Sequence, residues 1–197
     1  METNPANVVP VATDADVDAA VATLVLAFDS DPFTRWVYDD PRQYLQYGPR
    51  LFRAIVLSSL KARGAQRTVD GFGAASWLPP GVSGDDGPIR AIVAESVAAD
   101  KQAELGAAIH EAERYRPDVP HWYLSTIGVD AAHRGKACGT TLLQHRLRQC
   151  DDDHLPAYLW SSNPKNLPFY ERDGFEVASA IQTGSGPSIL AMLRAAR

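Results

Sequence analysis

Cysteine is scarce in this chain of 197 residues: there are two, Cys138 and Cys150. That is too few for a disulfide framework. Twelve positions apart on one predicted helix, they cannot reach each other, so reduced thiols and a cytoplasmic setting are expected. No apolar run approaches the roughly 18 residues of a membrane span. Met1 to Asn7 carry neither the basic nor the apolar region of a secretory leader, and no membrane association is expected. An excess of positive charge is lacking too. The net charge of -5 disfavours nucleic acid as a partner and would attract cationic small molecules only weakly. With 45% apolar and 22% charged residues and no repeat or low-complexity stretch, residues 1–197 read as one packed domain.

What is present reads as an α/β chain. Val8 to Ala12 is a strand candidate, and Thr13 caps a helix whose apolar face is Val17, Ala20, Val21, Leu24, Val25 and Phe28. Asp29-Ser30-Asp31-Pro32 breaks it. A second helix is predicted from Pro41 to Arg63, with an interruption at Gly48-Pro49, and Gly64 ends it. Asp70-Gly71 joins two strand candidates, Gln66 to Val69 and Phe72 to Leu78, as a hairpin. Pro88 to Arg114 is alanine-rich and helical. Strands follow at His121 to Val129, Pro156 to Ser161, Phe175 to Ala180 and Ser188 to Leu193. Helices are predicted from about Gly135 to Cys150 and from Pro164 to Arg172. That order implies a mixed sheet. A dinucleotide-binding fold would place its glycine fingerprint after the first strand, and none follows Val8 to Ala12.

Two segments carry chemistry. In the first, the strand ending at Ile127-Gly128-Val129 leads through His133-Arg134-Gly135-Lys136-Ala137-Cys138-Gly139-Thr140 into a helix. Free backbone N–H groups at a helix start, close backbone approach at glycine, and two basic side chains suit a phosphate. An ordinary turn with a solvated basic rim has the same pattern. In the second, Asn163 to Phe175, a short helix sets Asn166 and Tyr170 four positions apart on one face before Gly174 turns the chain.

Together these segments resemble the GNAT superfamily of N-acetyltransferases. Its phosphate turn corresponds to Arg134-Gly135-Lys136-Ala137-Cys138-Gly139, and its aromatic-tyrosine and Gly-Phe pair to Phe169-Tyr170 and Gly174-Phe175. Trp122-Tyr123-Leu124 and Asn166 to Arg172 are most similar to the branch containing puromycin N-acetyltransferase. The close resemblance spans about Trp122 to Phe175. It implies a GNAT fold, a mixed and mostly antiparallel sheet flanked by helices. It also implies acetyl-CoA as co-substrate, no metal, and transfer to a primary amine of a small molecule. The pantetheine arm would lie along Ile127, Gly128 and Val129, with the pyrophosphate on the amides of Arg134 to Thr140. Asn163 and Asn166 would contact the arm, and Tyr170 would protonate the leaving thiolate. In this mechanism the amine attacks the thioester directly, and a strand N–H near Ile127 to Val129 stabilises the oxyanion. Acetylation of a protein or peptide amine, and an idle acyl-CoA-binding module, are the alternatives. The chain would be a monomer or a homodimer.

The chain departs from the family pattern at two positions. Ala137 stands where glycine is usual. A positive φ there would cost roughly 1–2 kcal/mol, whereas a helical φ suits alanine, and the nearby helix start favours the helical state. Trp160 stands where related enzymes of the branch often carry glutamate. It either stacks on an acceptor or packs. For the general base, Asp29 and Asp31 compete with a plain helix-ending turn, and His110, Glu111 and Glu113 with a solvated helix face. Tyr123 and Ser125 share one strand face by alternation and could line the acceptor side. Phe33, Trp36, Tyr38 and Trp77 could wall a pocket or simply pack. Direct attack needs no cysteine, so Cys138 reads as packing.

Overall fold

The computed structural model describes residues 7–197, so the expectation of no leader over Met1 to Asn7 falls almost entirely outside the described residues. The elements run β1 Val8–Pro10, α1 Asp14–Phe28, α2 Pro32–Val37, α3 Pro41–Lys61, β2 Ala65–Thr68, β3 Gly73–Leu78, α4 Gly87–Ser96 and α5 Ala99–Glu113. They continue as β4 Trp122–Val129, α6 Cys138–Asp152, β5 Ala157–Ser161, α7 Leu167–Glu171, β6 Glu176–Ile181 and β7 Ile189–Arg194. The strands form one sheet in the order β1-β2-β3-β4-β5-β7-β6, antiparallel throughout except for the β4–β5 pair.

Strand alternation sorts the core onto two faces. Trp77, Trp122, Leu124, Leu159 and Met192 pack under α6, whose Leu142, Leu143 and Leu147 are buried. Each such leucine contributes on the order of 1.5–3 kcal/mol. The opposite face is covered by α1 and α3 over one half, through Val17, Leu24, Phe52 and Val56. Over the other half Ala108 and Ala112 of α5 cover Tyr158 and Ile189. The start of α1 is as expected: Thr13 and Asp16 form a reciprocal capping box.

Three elements differ from the sequence expectation. First, α3 runs unbroken through Gly48-Pro49. The carbonyl that loses its partner to Pro49 belongs to the turn of Leu45, 66% exposed, where water can replace it. Gly48 is needed there because a Cβ would stand 2.8 Å from the Tyr44 ring. Second, the alanine-rich stretch is two helices. Val97 takes extended backbone and buries itself among the α1 and α3 side chains, which breaks the helix. Third, Asp31-Pro32 starts a helix as well as ending one. Asp31 accepts from the amides of Phe33 and Thr34 at 3.1 and 3.0 Å, with proline at the first helical position.

Candidate active site

The site is built where β4 and β5 part. They pair in parallel at Trp122 with Ala157, Tyr123 with Tyr158 and Leu124 with Leu159, and no further. Beyond that, β4 stays with β3 up to Val129 opposite Gly73, and β5 stays with β7 up to Ser161 opposite Leu190. One edge of β4 from Thr126 to Val129 therefore has backbone N–H and C=O groups facing a gap. A bulge helps to open it. Ser76 pairs with Thr126 but Trp77 with Leu124, which leaves Ser125 as the extra residue. The alternation resets across the bulge. Ile127 packs on the α6 side with Leu124, while a Cβ on Gly128 would meet Ala27 and Leu24 of α1. Ser125 thus sits in the bulge and does not continue a regular face with Tyr123.

A cleft of about 640 Å³ occupies this gap. It is lined by Ile127, Gly128, Val129, Arg134, Gly135, Ala137, Cys138, Gly139, Thr140, Asn163, Asn166 and Tyr170. These are the residues singled out in the sequence, apart from Lys136, which is exposed and not part of the wall.

One wall is the turn between β4 and α6. Asp130 accepts from the amide of Ala132 at 3.0 Å and meets His133 Nδ1 at 3.0 Å. The Ala132 amide, followed by His133, holds its carboxyl below the ordinary aspartate range. His133 also stacks on Phe72, with ring centroids 3.4 Å apart. Arg134 donates to the carbonyl of Ala27 at 3.0 Å, tying the turn to the end of α1. Gly135 and Ala137 both have left-handed backbone, at φ 80° and 64°. This corrects the expectation for Ala137. The helix begins one residue later, at Cys138, so Ala137 is the residue that swings the amides outward, not part of the first turn. No side chain caps α6, and Cys138, Gly139 and Thr140 of its first turn line the cleft, their N–H groups without a partner from the helix. Left-handed residues alternating through a turn make an anion-binding concavity of backbone amides. The Cys138 thiol is buried and its pKa is raised by that burial, consistent with packing.

The other wall comes from the end of β5 and α7. Asn163 Oδ1 accepts from the Lys165 amide at 3.1 Å, which fixes the turn and leaves the side-chain NH₂ available. Tyr170 is 6% exposed and packs edge-on against Phe169 and Phe175. Burial, and secondarily the charge of Asp31, push its phenol well above the ordinary tyrosine value. Tyr170 therefore keeps its proton at neutral pH.

Sequence reasoning did not assign Ala27, Phe28, Ser30, His133, Lys165, Phe169 or Arg172 to the cleft. The two cations, placed just before and after the tyrosine helix, were a legible signal. The α1 residues were not, because their place depends on the packing of α1 over β4. Of the other candidates, Asp31 is buried in the cleft wall and Asp29 is exposed. His110, Glu111 and Glu113 lie on α5 away from the cleft, and Glu111 and Glu113 pair with Arg114 and Arg116. Trp160 packs against Phe33 at 5.6 Å and lies beside Tyr123, whose phenol is pushed by burial to about 12. Trp77 and Tyr38 are core residues. Among the described residues no group of three or more His, Cys, Asp or Glu side chains is placed to hold a metal ion, and no helix is long and apolar enough to cross a membrane.

Residues 95–175 match the model of the acetyltransferase (GNAT) family. The chain is 27% identical over 181 positions to an uncharacterized N-acetyltransferase of Schizosaccharomyces pombe, covering 84% of this chain and 73% of the relative. It superposes on a structure from Corynebacterium glutamicum described as histone acetyltransferase HPA2 and related acetyltransferase, with TM-score 0.71, 26% identity, and 97% and 96% of the two chains covered. A Drosophila melanogaster polyamine N-acetyltransferase shares the fold, with TM-score 0.63, 16% identity and 95% and 99% coverage. A mixed, mostly antiparallel sheet that parts between two strands, the matched stretch around that gap, and these relatives lead to one conclusion: the chain has the GNAT fold and is similar to the acetyltransferases of that family.

Proposed function

We propose that this enzyme transfers the acetyl group of acetyl-CoA to a primary amine of a small molecule by direct attack, with Tyr170 as general acid. One observation carries the reading: the gap between β4 and β5 has uncapped helix amides at one end and a buried, protonated tyrosine on its wall. The residues fit the co-substrate. The edge of β4 from Ile127 to Val129 offers N–H and C=O groups to the amides of a pantetheine arm. The amides around Gly135 to Thr140 suit a pyrophosphate, where the helix dipole favours negative charge. A Cβ on Gly135 would meet nothing within 4 Å, so the backbone there is open to a ligand. Lys136 would add only long-range positive charge from outside the wall. Asn163 and Asn166 would hold the arm from the opposite side. Acetyl-CoA supplies the activated acyl group as a thioester. A β4 amide would stabilise the negative charge that develops on the carbonyl oxygen. Tyr170 would give its proton to the departing sulfur.

The resemblance around Trp122-Tyr123-Leu124 and Asn166 to Arg172 supports a place near the puromycin N-acetyltransferase-like branch. Two buried unpaired cysteines, Cys138 and Cys150, fit a reducing compartment such as the cytoplasm. Acetylation of a peptide or protein amine is the second reading, favoured by the 26% identity to the C. glutamicum chain described as a histone acetyltransferase. Thiol release from acetyl-CoA, measured against puromycin, amino acids, polyamines and short peptides, separates the two. Release dependent on a small amine supports the first reading, and release dependent only on peptides replaces it with the second.

A further inference from the structure

Asp31 is the only carboxylate residue in the buried class among the described residues, at 8% exposed, and it lines the cleft. Its Oδ1 caps α2 by accepting from Phe33 and Thr34. Its Oδ2 accepts from the buried Ser162 hydroxyl at 3.0 Å, which fastens the α1–α2 corner to the end of β5. Capping occupies one oxygen. The other has a single donor and room for a further one. No Lys, Arg or His among the described residues ion-pairs with it. The charged and titratable groups that face the same corner include Asp29, Arg35 on α2, Tyr44 on α3 and Tyr170 on α7, and the cleft also holds His133, Arg134, Lys165 and Arg172. Tyr44 and Tyr170 both feel the negative charge of Asp31. A buried carboxylate with no cation in ion-pair contact is the costly arrangement. Here two amides and a hydroxyl offset part of the cost, and the open side is the cleft.

We propose that Asp31 Oδ2 receives the acceptor as an alkylammonium ion, making this corner the site that selects amines that are cationic at neutral pH. This rests on the acetyl-transfer reading above. The bound ammonium cannot attack until one N–H bond breaks and leaves its electron pair on nitrogen. Asp31 Oδ2, hydrogen-bonded to that nitrogen, relays the proton to water in the open cleft. The freed pair then forms the C–N bond as the C–S bond breaks, the thiolate takes the Tyr170 proton, and the second nitrogen proton restores Tyr170. The net products are amide, thiol and one released proton.

The test uses Asp31→Asn, which keeps a capping side chain and removes the charge. The probes are agmatine, spermidine, 2-phenylethylamine and 2,2-difluoro-2-phenylethylamine, whose fluorines leave the amine largely neutral at neutral pH. The variant should lose roughly 10²-fold in kcat/KM toward the cationic amines the wild type accepts, but only a few-fold toward the fluorinated one. Acetyl-CoA affinity should stay within about twofold. A purely structural role would lower both amine classes together, and that outcome overturns the assignment, as does full activity of the variant. If Asp31→Asn does not fold, Asp31→Ser, another capping residue, takes its place in the same comparison. Wild-type silence toward all four amines with acetyl-CoA bound overturns the small-amine reading itself, and Asp31's role with it. That result is distinguishable from loss in the variant alone.

Discussion

Gly128 of β4 lies directly beneath Ala27 of α1, so close that a Cβ on Gly128 would stand 2.7 Å from the Ala27 methyl. Leu24 and Phe28 crowd the same point at 3.0 and 3.3 Å. Gly128→Ala should therefore push α1 off the sheet and cost about 1–3 kcal/mol by overpacking. Because both residues line the cleft, acetyl-CoA affinity should fall as well. Denaturant unfolding and a binding titration measure the two effects. An unchanged midpoint would mean that α1 sits further from β4 than this contact requires.

Tyr170→Phe removes the phenolic proton and keeps the ring packed between Phe169 and Phe175. Turnover should fall by about 10²–10⁴-fold, with acetyl-CoA affinity and thermal stability nearly intact. Steady-state kinetics beside calorimetric binding checks this, and unchanged turnover would take Tyr170 out of the chemistry.

Ala137 bears a left-handed φ of 64°, where a side chain costs roughly 1–2 kcal/mol. Ala137→Gly relieves that strain but adds freedom to the unfolded chain. The net gain should be about 0.5–1 kcal/mol, a rise in Tm of roughly 1–4 °C. The turn amides keep their directions, so acetyl-CoA binding should hold or tighten. A lower Tm would show that the methyl packs usefully.

Asp16 accepts hydrogen bonds from Thr13 and Arg67, which hold its carboxyl at about 2. A depressed folded-state pKa stabilises the protein above the unfolded value of roughly 3.9. That stabilisation is lost as pH falls through about 2. Thermal midpoints should drop across this window. Asp16→Asn, less stable at neutral pH, should drop less steeply, and parallel curves for the two proteins would remove Asp16 from the acid response.

Much of the site was legible because it is local in the chain. Ile127 to Thr140 is a strand, turn and helix start within one stretch, and Asn163 to Phe175 is a second. Residue type and spacing alone define where amides become free and where a tyrosine faces. Periodicity likewise gave α1, α6 and the hairpin of β2 and β3. The short α2 was missed, although Asp31 followed by Pro32 is itself a helix-start signal.

Other features depended on residues far apart in the chain. The parting of β4 from β5 arises because each strand keeps its other neighbour, β3 or β7, past the point where they stop pairing with each other. The break at Val97 goes with its burial among side chains of α1 and α3, far away in the chain. The left-handed φ of Ala137 ran against the local expectation, and the buried Asp31 is hydrogen-bonded to Ser162, 131 positions away. Sequence determined which segments build each end of the cleft, since hydrogen bonding and sterics within a few residues suffice for that. Tertiary structure alone decided which strand edge was left open and which carboxylate was buried, since those are settled by packing between segments that carry no mark of one another.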